Sequence, residues 1–105
     1  MNAANGGAQS VVSGTQLSLR LASEQQLGEA GTRIIGAGTG RALLSQTTTR
    51  LTSQYGGVAD DWAKMTSSSF TARNGLTIET HWYENLSNGL RVEPKTKFWW
   101  QVSAG

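Results

Sequence analysis

The placement of the aromatic residues constrains this chain more than any other feature. Tyr55, Trp62, Phe70, Trp82, Tyr83, Phe98, Trp99 and Trp100 all fall at or after position 55, and nothing before it is aromatic. Aromatic side chains supply the largest burial per residue. The core is therefore expected to nucleate in residues 55–105, with the N-terminal half covering it or acting as a linker. At 105 residues the chain fits one domain and can bury a core.

The last forty residues alternate clearly. Arg73-Asn74-Gly75 and Ser87-Asn88-Gly89 each separate β-rich runs. Two-residue Asn-Gly turns would mix polar and apolar side chains on both faces. Three-residue loops, each with its glycine in the left-handed region, separate them. In that register Leu86 pairs with Leu90, Glu84 with Val92, Trp82 with Pro94, Thr80 with Thr96, and Ile78 with Phe98. The other face pairs Tyr83 with Glu93, His81 with Lys95, and Glu79 with Lys97. The first hairpin adds Ala72 to Leu76 and Phe70 to Ile78. Its polar pairs are Thr71 with Thr77, Ser69 with Glu79, and Ser67 with His81. Pro94 has no N–H for a ladder, so its strand is expected at an edge or bulged there.

Upstream the pattern is weaker. Residues 1–15 read as disordered or linker, because they are small and polar. Leu17, Leu21 and Leu27 suggest an amphipathic helix over 16–30, stopped near Gly28–Gly31. Residues 32–40 read as an apolar pair and a glycine-rich turn. Leu44, Thr48, Leu51 and Tyr55 suggest a helix over 41–55, ended by Gly56 and Gly57. Residues 60–65 suggest a short helical turn opened by Asp60 and Asp61. The expected fold class is α+β: N-terminal helices on one face of a three- to four-stranded antiparallel meander. Residues 16–105 form one domain in this reading, helical over 16–65 and a sheet over 66–103.

The polar face of that sheet gathers Ser67, Ser69, Glu79, His81, Tyr83, Arg91, Glu93, Lys95 and Lys97, with the chain's only histidine at its centre. Opposed residues lie ~4.5–5.5 Å apart at Cβ, close enough for several to touch one phosphodiester. Metal-free RNA cleavage needs a base for the ribose 2′-OH, an acid for the leaving 5′-oxygen, and cations on the developing charge. Glu79 or His81 is the candidate base and His81 the acid. Lys95, Lys97 and Arg91 are the cations. Ser67 joins the catalytic set, with Tyr83, Ser69 and Arg91 as substrate-binding residues. A wet sheet face also shows such pairs without any function. Histidine is the side chain that changes charge near neutral pH, which tilts the balance towards chemistry.

Several classes are excluded or weakened. Without cysteine there is no disulfide scaffold or thiolate zinc site, and a single histidine leaves no metal set and no cofactor. Gly36–Gly40 lacks the third glycine of a dinucleotide loop and the lysine of a phosphate loop, and reads as a linker or capping turn. No apolar run reaches the ~18–20 residues of a membrane span, and no basic-then-apolar leader opens the chain. The net charge of +2 permits an anionic partner without demanding one. Trp99 and Trp100 are candidates for base stacking, although the simpler reading puts one in the core and one at the rim.

The run from Tyr55 through Asp60-Asp61-Trp62-Ala63-Lys64 to Ser69, then Glu79-Thr-His81-Trp82-Tyr83-Glu84-Asn85, then Gly89-Leu-Arg91-Val-Glu93-Pro-Lys95-Thr-Lys97, resembles C-terminal toxin domains of bacterial polymorphic toxins, including contact-dependent growth-inhibition effectors. The likeness spans residues 54–98, and the glycine-rich segment upstream is similar to the variable region before such domains. It implies a barnase/EndoU/colicin/RelE-like fold, with helices followed by a sheet whose polar face holds the site. It implies an endoribonuclease acting on tRNA, delivered into a target-cell cytoplasm, with a cognate immunity protein and a host translation factor as candidate partners. EndoU members use two histidines with a lysine and a hydroxyl residue. This chain has one histidine, so a Glu/His/Lys or His/Lys/Ser set replaces them. The competing reading is a non-catalytic toxin-like module that holds an immunity protein or RNA, and a third is a structural interaction domain with a solvated polar face.

Overall fold

The computed structural model describes residues 14–101. The linker expected over 1–15 lies outside the described residues up to position 13, and Gly14 already opens the first helix. The elements are α1 (Gly14–Leu27), β1 (Thr32–Gly36), α2 (Ser45–Tyr55), a 3-10 turn (Ala59–Asp61), β2 (Trp62–Thr66), β3 (Phe70–Thr71), β4 (Leu76–Asn85) and β5 (Leu90–Trp100). The class is α+β, as the patterning implies. All five strands form one antiparallel sheet. β4 pairs with β2 and β3 along one edge and with β5 along the other, and β1 extends the sheet beyond β2.

Two upstream segments are strands where the sequence suggested other conformations. The expected helical turn over 60–65 shrinks to Ala59–Asp61, and Trp62–Thr66 becomes an inner strand. Its alternation is hidden because both faces are covered. Trp62 packs with Leu51 and Val92 on one side, while Ala63 and Met65 pack with Trp82 on the other. Thr32–Gly36, read as an apolar pair before a turn, is the outer strand beside it.

These two clusters place the helices. α1 covers the Trp82 face. Gln26, 2 % exposed, donates from Nε2 to the carbonyls of Ser68 (2.9 Å) and Ile78 (3.0 Å), and its Oε1 accepts from the Thr80 hydroxyl (3.0 Å). α2 lies against the opposite face, where Leu51 meets Trp62 and Val92 with Tyr83 at the margin. The expected core is mostly present. Trp82, Ile78 and Val92 are buried and Phe70 and Leu76 half-buried, but Phe98 is 69 % exposed because no helix reaches that end of β5.

The first hairpin has the expected pairs Phe70–Ile78 and Thr71–Thr77, and Gly75 has φ 88°. In the second, Glu79–Lys97, Thr80–Thr96, His81–Lys95 and Ile78–Phe98 stand as expected, and Gly89 has φ 80°. Nearer the loop the register slips by one, to Tyr83–Val92, Glu84–Arg91 and Asn85–Leu90, so the loop is Leu86–Gly89. The reason is local. Leu86 N–H donates to the Asp61 carbonyl (2.8 Å) instead of pairing with Leu90, and the buried Asn85 closes the turn by accepting from Ser87 N–H (2.9 Å) and Gly89 N–H (2.8 Å). A bulge at Glu93–Pro94 absorbs the extra residue. Glu93 takes φ 56°, the only non-glycine residue with positive φ among the described residues. Pro94 thus sits at an edge and beside a bulge, where its missing donor costs nothing.

Candidate functional site

The face of β4 opposite α1 carries Thr77, Glu79, His81 and Tyr83, since side chains alternate. Pairing brings Lys64 beside Tyr83, Thr66 beside His81, Lys95 beside His81 and Lys97 beside Glu79. α2 stops short of these residues and forms a wall instead. The result is an open cleft of about 440 Å³, lined by Arg50, Lys64, His81, Tyr83, Glu93, Pro94, Lys95 and Lys97. That volume lies within the range of small-ligand sites.

Behind the lining residue His81, Glu79 Oε1 meets His81 Nε2 at 2.8 Å. Ser69 Oγ donates to Glu79 Oε2 at 2.6 Å, and Thr66 Oγ1 donates to Oε1 at 3.3 Å. Burial pushes the Glu79 carboxyl up, but the Ser69 and His81 hydrogen bonds, the imidazole charge and Thr66 outweigh it. The net result holds Glu79 below the usual carboxylate range, so it is an anion at neutral pH. His81 Nδ1 is the one buried side-chain nitrogen or oxygen among the described residues that makes no hydrogen bond within the protein.

The cations divide into two sorts. Lys64, Lys95 and Lys97 make no ion pair among the described residues. Arg50 is tied to Glu93 Oε2 (2.5 Å), which also accepts from Tyr55 OH (2.9 Å). The Arg50 bond holds the Glu93 carboxyl low, against the opposing effect of its burial. The left-handed backbone of Glu93 thus sits where its side chain latches α2 to β5 at the cleft rim. Four basic side chains against the Glu93 and Glu79 carboxylates leave the cleft with an excess of positive charge, suited to a phosphate group.

Two of the sequence-predicted site residues belong elsewhere. Ser67 is 5 % exposed and does not pair with His81; Thr66 does. The 67–69 segment bulges out of register, and Ser67 turns inward. Its Oγ accepts from Thr80 N–H (2.9 Å) and donates to the Ser68 carbonyl (2.8 Å). Arg91 lies on the opposite face, because the register slip reverses the parity of β5 before the bulge. It stacks 4.7 Å over the Trp82 ring, pairs with Glu84 (3.0 Å) and donates to the Glu29 carbonyl (2.5 Å) beyond the end of α1. It braces the fold and is not among the residues lining the cleft. His81, Glu79, Lys95, Lys97, Ser69 and Tyr83 are gathered on one face as the alternation implies.

Sequence reasoning missed Arg50, Lys64 and Thr66. A strand reading of Trp62-Ala-Lys-Met-Thr would have aligned Lys64 and Thr66 with Trp62 on one face. Arg50 had no local signal, because its place depends on how α2 docks. Among the described residues no three of His, Cys, Asp and Glu converge as a metal set, and no helix is long and apolar enough to cross a membrane. Comparison with protein-family models, curated proteins and solved structures returned no match.

Proposed function

We propose that the cleft is the active site of a metal-independent endoribonuclease that cleaves RNA, tRNA being the class the toxin resemblance suggests. The observation that carries this reading is the Glu79–His81 pair at 2.8 Å, set among three unpaired lysines. In the reaction the Glu79 carboxylate takes the 2′-OH proton as the 2′-oxygen attacks phosphorus. The bond from phosphorus to the 5′-oxygen breaks, and His81 delivers a proton to that oxygen. The products are a 2′,3′-cyclic phosphate and a 5′-hydroxyl. One proton is gained by Glu79 and one lost by His81, so transfer across their own hydrogen bond resets the site. His81 donates to Glu79 through Nε2, and because Nδ1 is buried it is the Nε2 proton that goes to the leaving oxygen once Glu79 has taken up the 2′-OH proton. Lys95, Lys97 and Lys64 supply positive charge where the phosphorane oxygens gain negative charge. The anionic state of Glu79 costs it basicity but keeps it ready to accept a proton at neutral pH.

The toxin role, the immunity partner and delivery to a target cytoplasm rest on the resemblance of residues 54–98. The test is incubation of the purified protein with total tRNA in EDTA. Discrete fragments with 2′,3′-cyclic phosphate ends are expected, and His81→Ala abolishes them while leaving the fold intact. Wild-type protein that binds tRNA without cutting it establishes the binding-module reading instead. A His81→Ala protein that cuts at the wild-type rate overturns the site.

A further inference from the structure

Three aromatic residues end β5, and one of them shares a face with His81. Pairing is regular from His81–Lys95 to Leu76–Trp100. Alternation therefore puts Lys95, Lys97 and Trp99 on the cleft face, and Thr96, Phe98 and Trp100 on the other. Trp99 is 40 % exposed. It cannot sink further, because its partner Thr77 is already 2 % exposed, with its hydroxyl tied to that of Thr71 at 2.7 Å. An indole thus stands on a polar face, one strand step beyond the lysine opposite Glu79, with no core beneath it to fill.

Steps of two residues along a strand are ~6.8 Å, so cation, cation and aromatic ring follow one another at even spacing. Successive positive charges track a nucleic-acid backbone, and an exposed ring offers a face on which any base can stack. We propose that Trp99 is the stacking platform for an unpaired base of single-stranded RNA whose phosphates lie along Lys95 and Lys97. This rests on RNA being the ligand of the cleft and adds its strandedness. Bases inside a duplex are stacked on each other and leave no free face for an indole. A protein partner for the aromatic end of β5 would use Phe98 and Trp100, which are more exposed, at 69 % and 62 %.

The experiment reads binding without cleavage. A short, mixed-sequence 2′-O-methyl oligonucleotide has no free 2′-OH to attack phosphorus, and tryptophan fluorescence reports its binding. Wild-type protein is expected to bind the single strand with quenching, and the matching duplex more weakly. Trp99→Ala should weaken single-strand binding by about 10- to 100-fold, the usual cost of losing one stacked base. Trp99→Phe should recover most of that loss, and Trp100→Ala, on the other face, should change nothing. Equal affinity of wild type and Trp99→Ala overturns the proposal. So does an equal loss in Trp99→Ala and Trp100→Ala, equal affinity for duplex and single strand, or no binding at all. Trp99-dependent binding in a protein that never cuts RNA leaves the platform standing and removes the catalytic reading. His81-dependent cleavage with Trp99-independent binding does the reverse.

Discussion

Glu79→Gln separates the two roles a carboxylate can play beside a histidine. The amide keeps the size of the side chain and one acceptor oxygen, so contacts with His81 and Thr66 survive. Ser69 can turn its hydroxyl and accept from the new NH₂ group, where it now donates at 2.6 Å. No cavity opens. The loss is the charge on the acceptor, which lowers a hydrogen bond from ~1.5–3 kcal/mol to ~0.5–1.5 kcal/mol. A net destabilisation of about 1 kcal/mol is expected, roughly 4–8 °C in Tm for a chain of this size. Activity should fall much further. Removing a general base costs about 10²–10⁴-fold, a barrier increase of about 2.7–5.4 kcal/mol at 1.36 kcal/mol per decade. The assay is single-turnover cleavage of a short RNA in EDTA across the acid and neutral range, with thermal melts on the same preparations. In wild type the acid limb of the profile is expected to report protonation of Glu79; in Glu79→Gln it should move or vanish. A variant that melts as expected, yet cleaves near the wild-type rate with the acid limb unmoved, refutes Glu79 as the base and leaves it only orienting His81.

Three further outcomes follow from the packing. Trp82→Ala should lower the denaturant midpoint by the equivalent of ~3–5 kcal/mol, because a 2 % exposed indole packed on Ala63 and Met65 leaves a cavity; an unchanged midpoint would show that it is not core. Arg91→Ala should destabilise by ~0.5–1.5 kcal/mol through the exposed hydrogen bonds lost near the end of α1, with the cleavage rate at saturating RNA unchanged; a large fall in that rate would return Arg91 to the site. Stability should fall on acidification. Glu29, Glu79 and Glu93 are all held below the usual range by their hydrogen bonds, so their contributions are full above the unfolded carboxylate value of about 4.3 and vanish as pH drops through the folded values. Denaturant midpoints flat across that acid window would contradict the three bonding patterns.

Turn chemistry and alternation were enough to read the floor of the site. Gly75 and Gly89 require the left-handed region, and the period of two puts Glu79, His81, Lys95 and Lys97 on one face. Those inferences need only neighbours along the chain and one hairpin partner. They fail at Leu86, where a hydrogen bond to Asp61, 25 positions earlier, takes the residue out of the hairpin. They fail at Ser67 for a related reason, because the chain must jump register between β3 and β2 while both pair with β4.

By itself, then, the sequence determined that an aromatic-rich antiparallel sheet would form, and which residues of its central hairpin would face each other from Ile78–Phe98 to His81–Lys95. The tertiary structure decided the rest. Docking of α2 on the His81 face brought Arg50 to the cleft and hid the alternation of β2, whose Lys64 is half-buried on that same face. The slip at the second loop sent Arg91 to the far face, and the bulge at Glu93 restored the lysines to the near one. A local period cannot encode such shifts, because each is set by the energy of pairing segments remote in sequence. One displaced residue reverses every side chain until a bulge reverses it again.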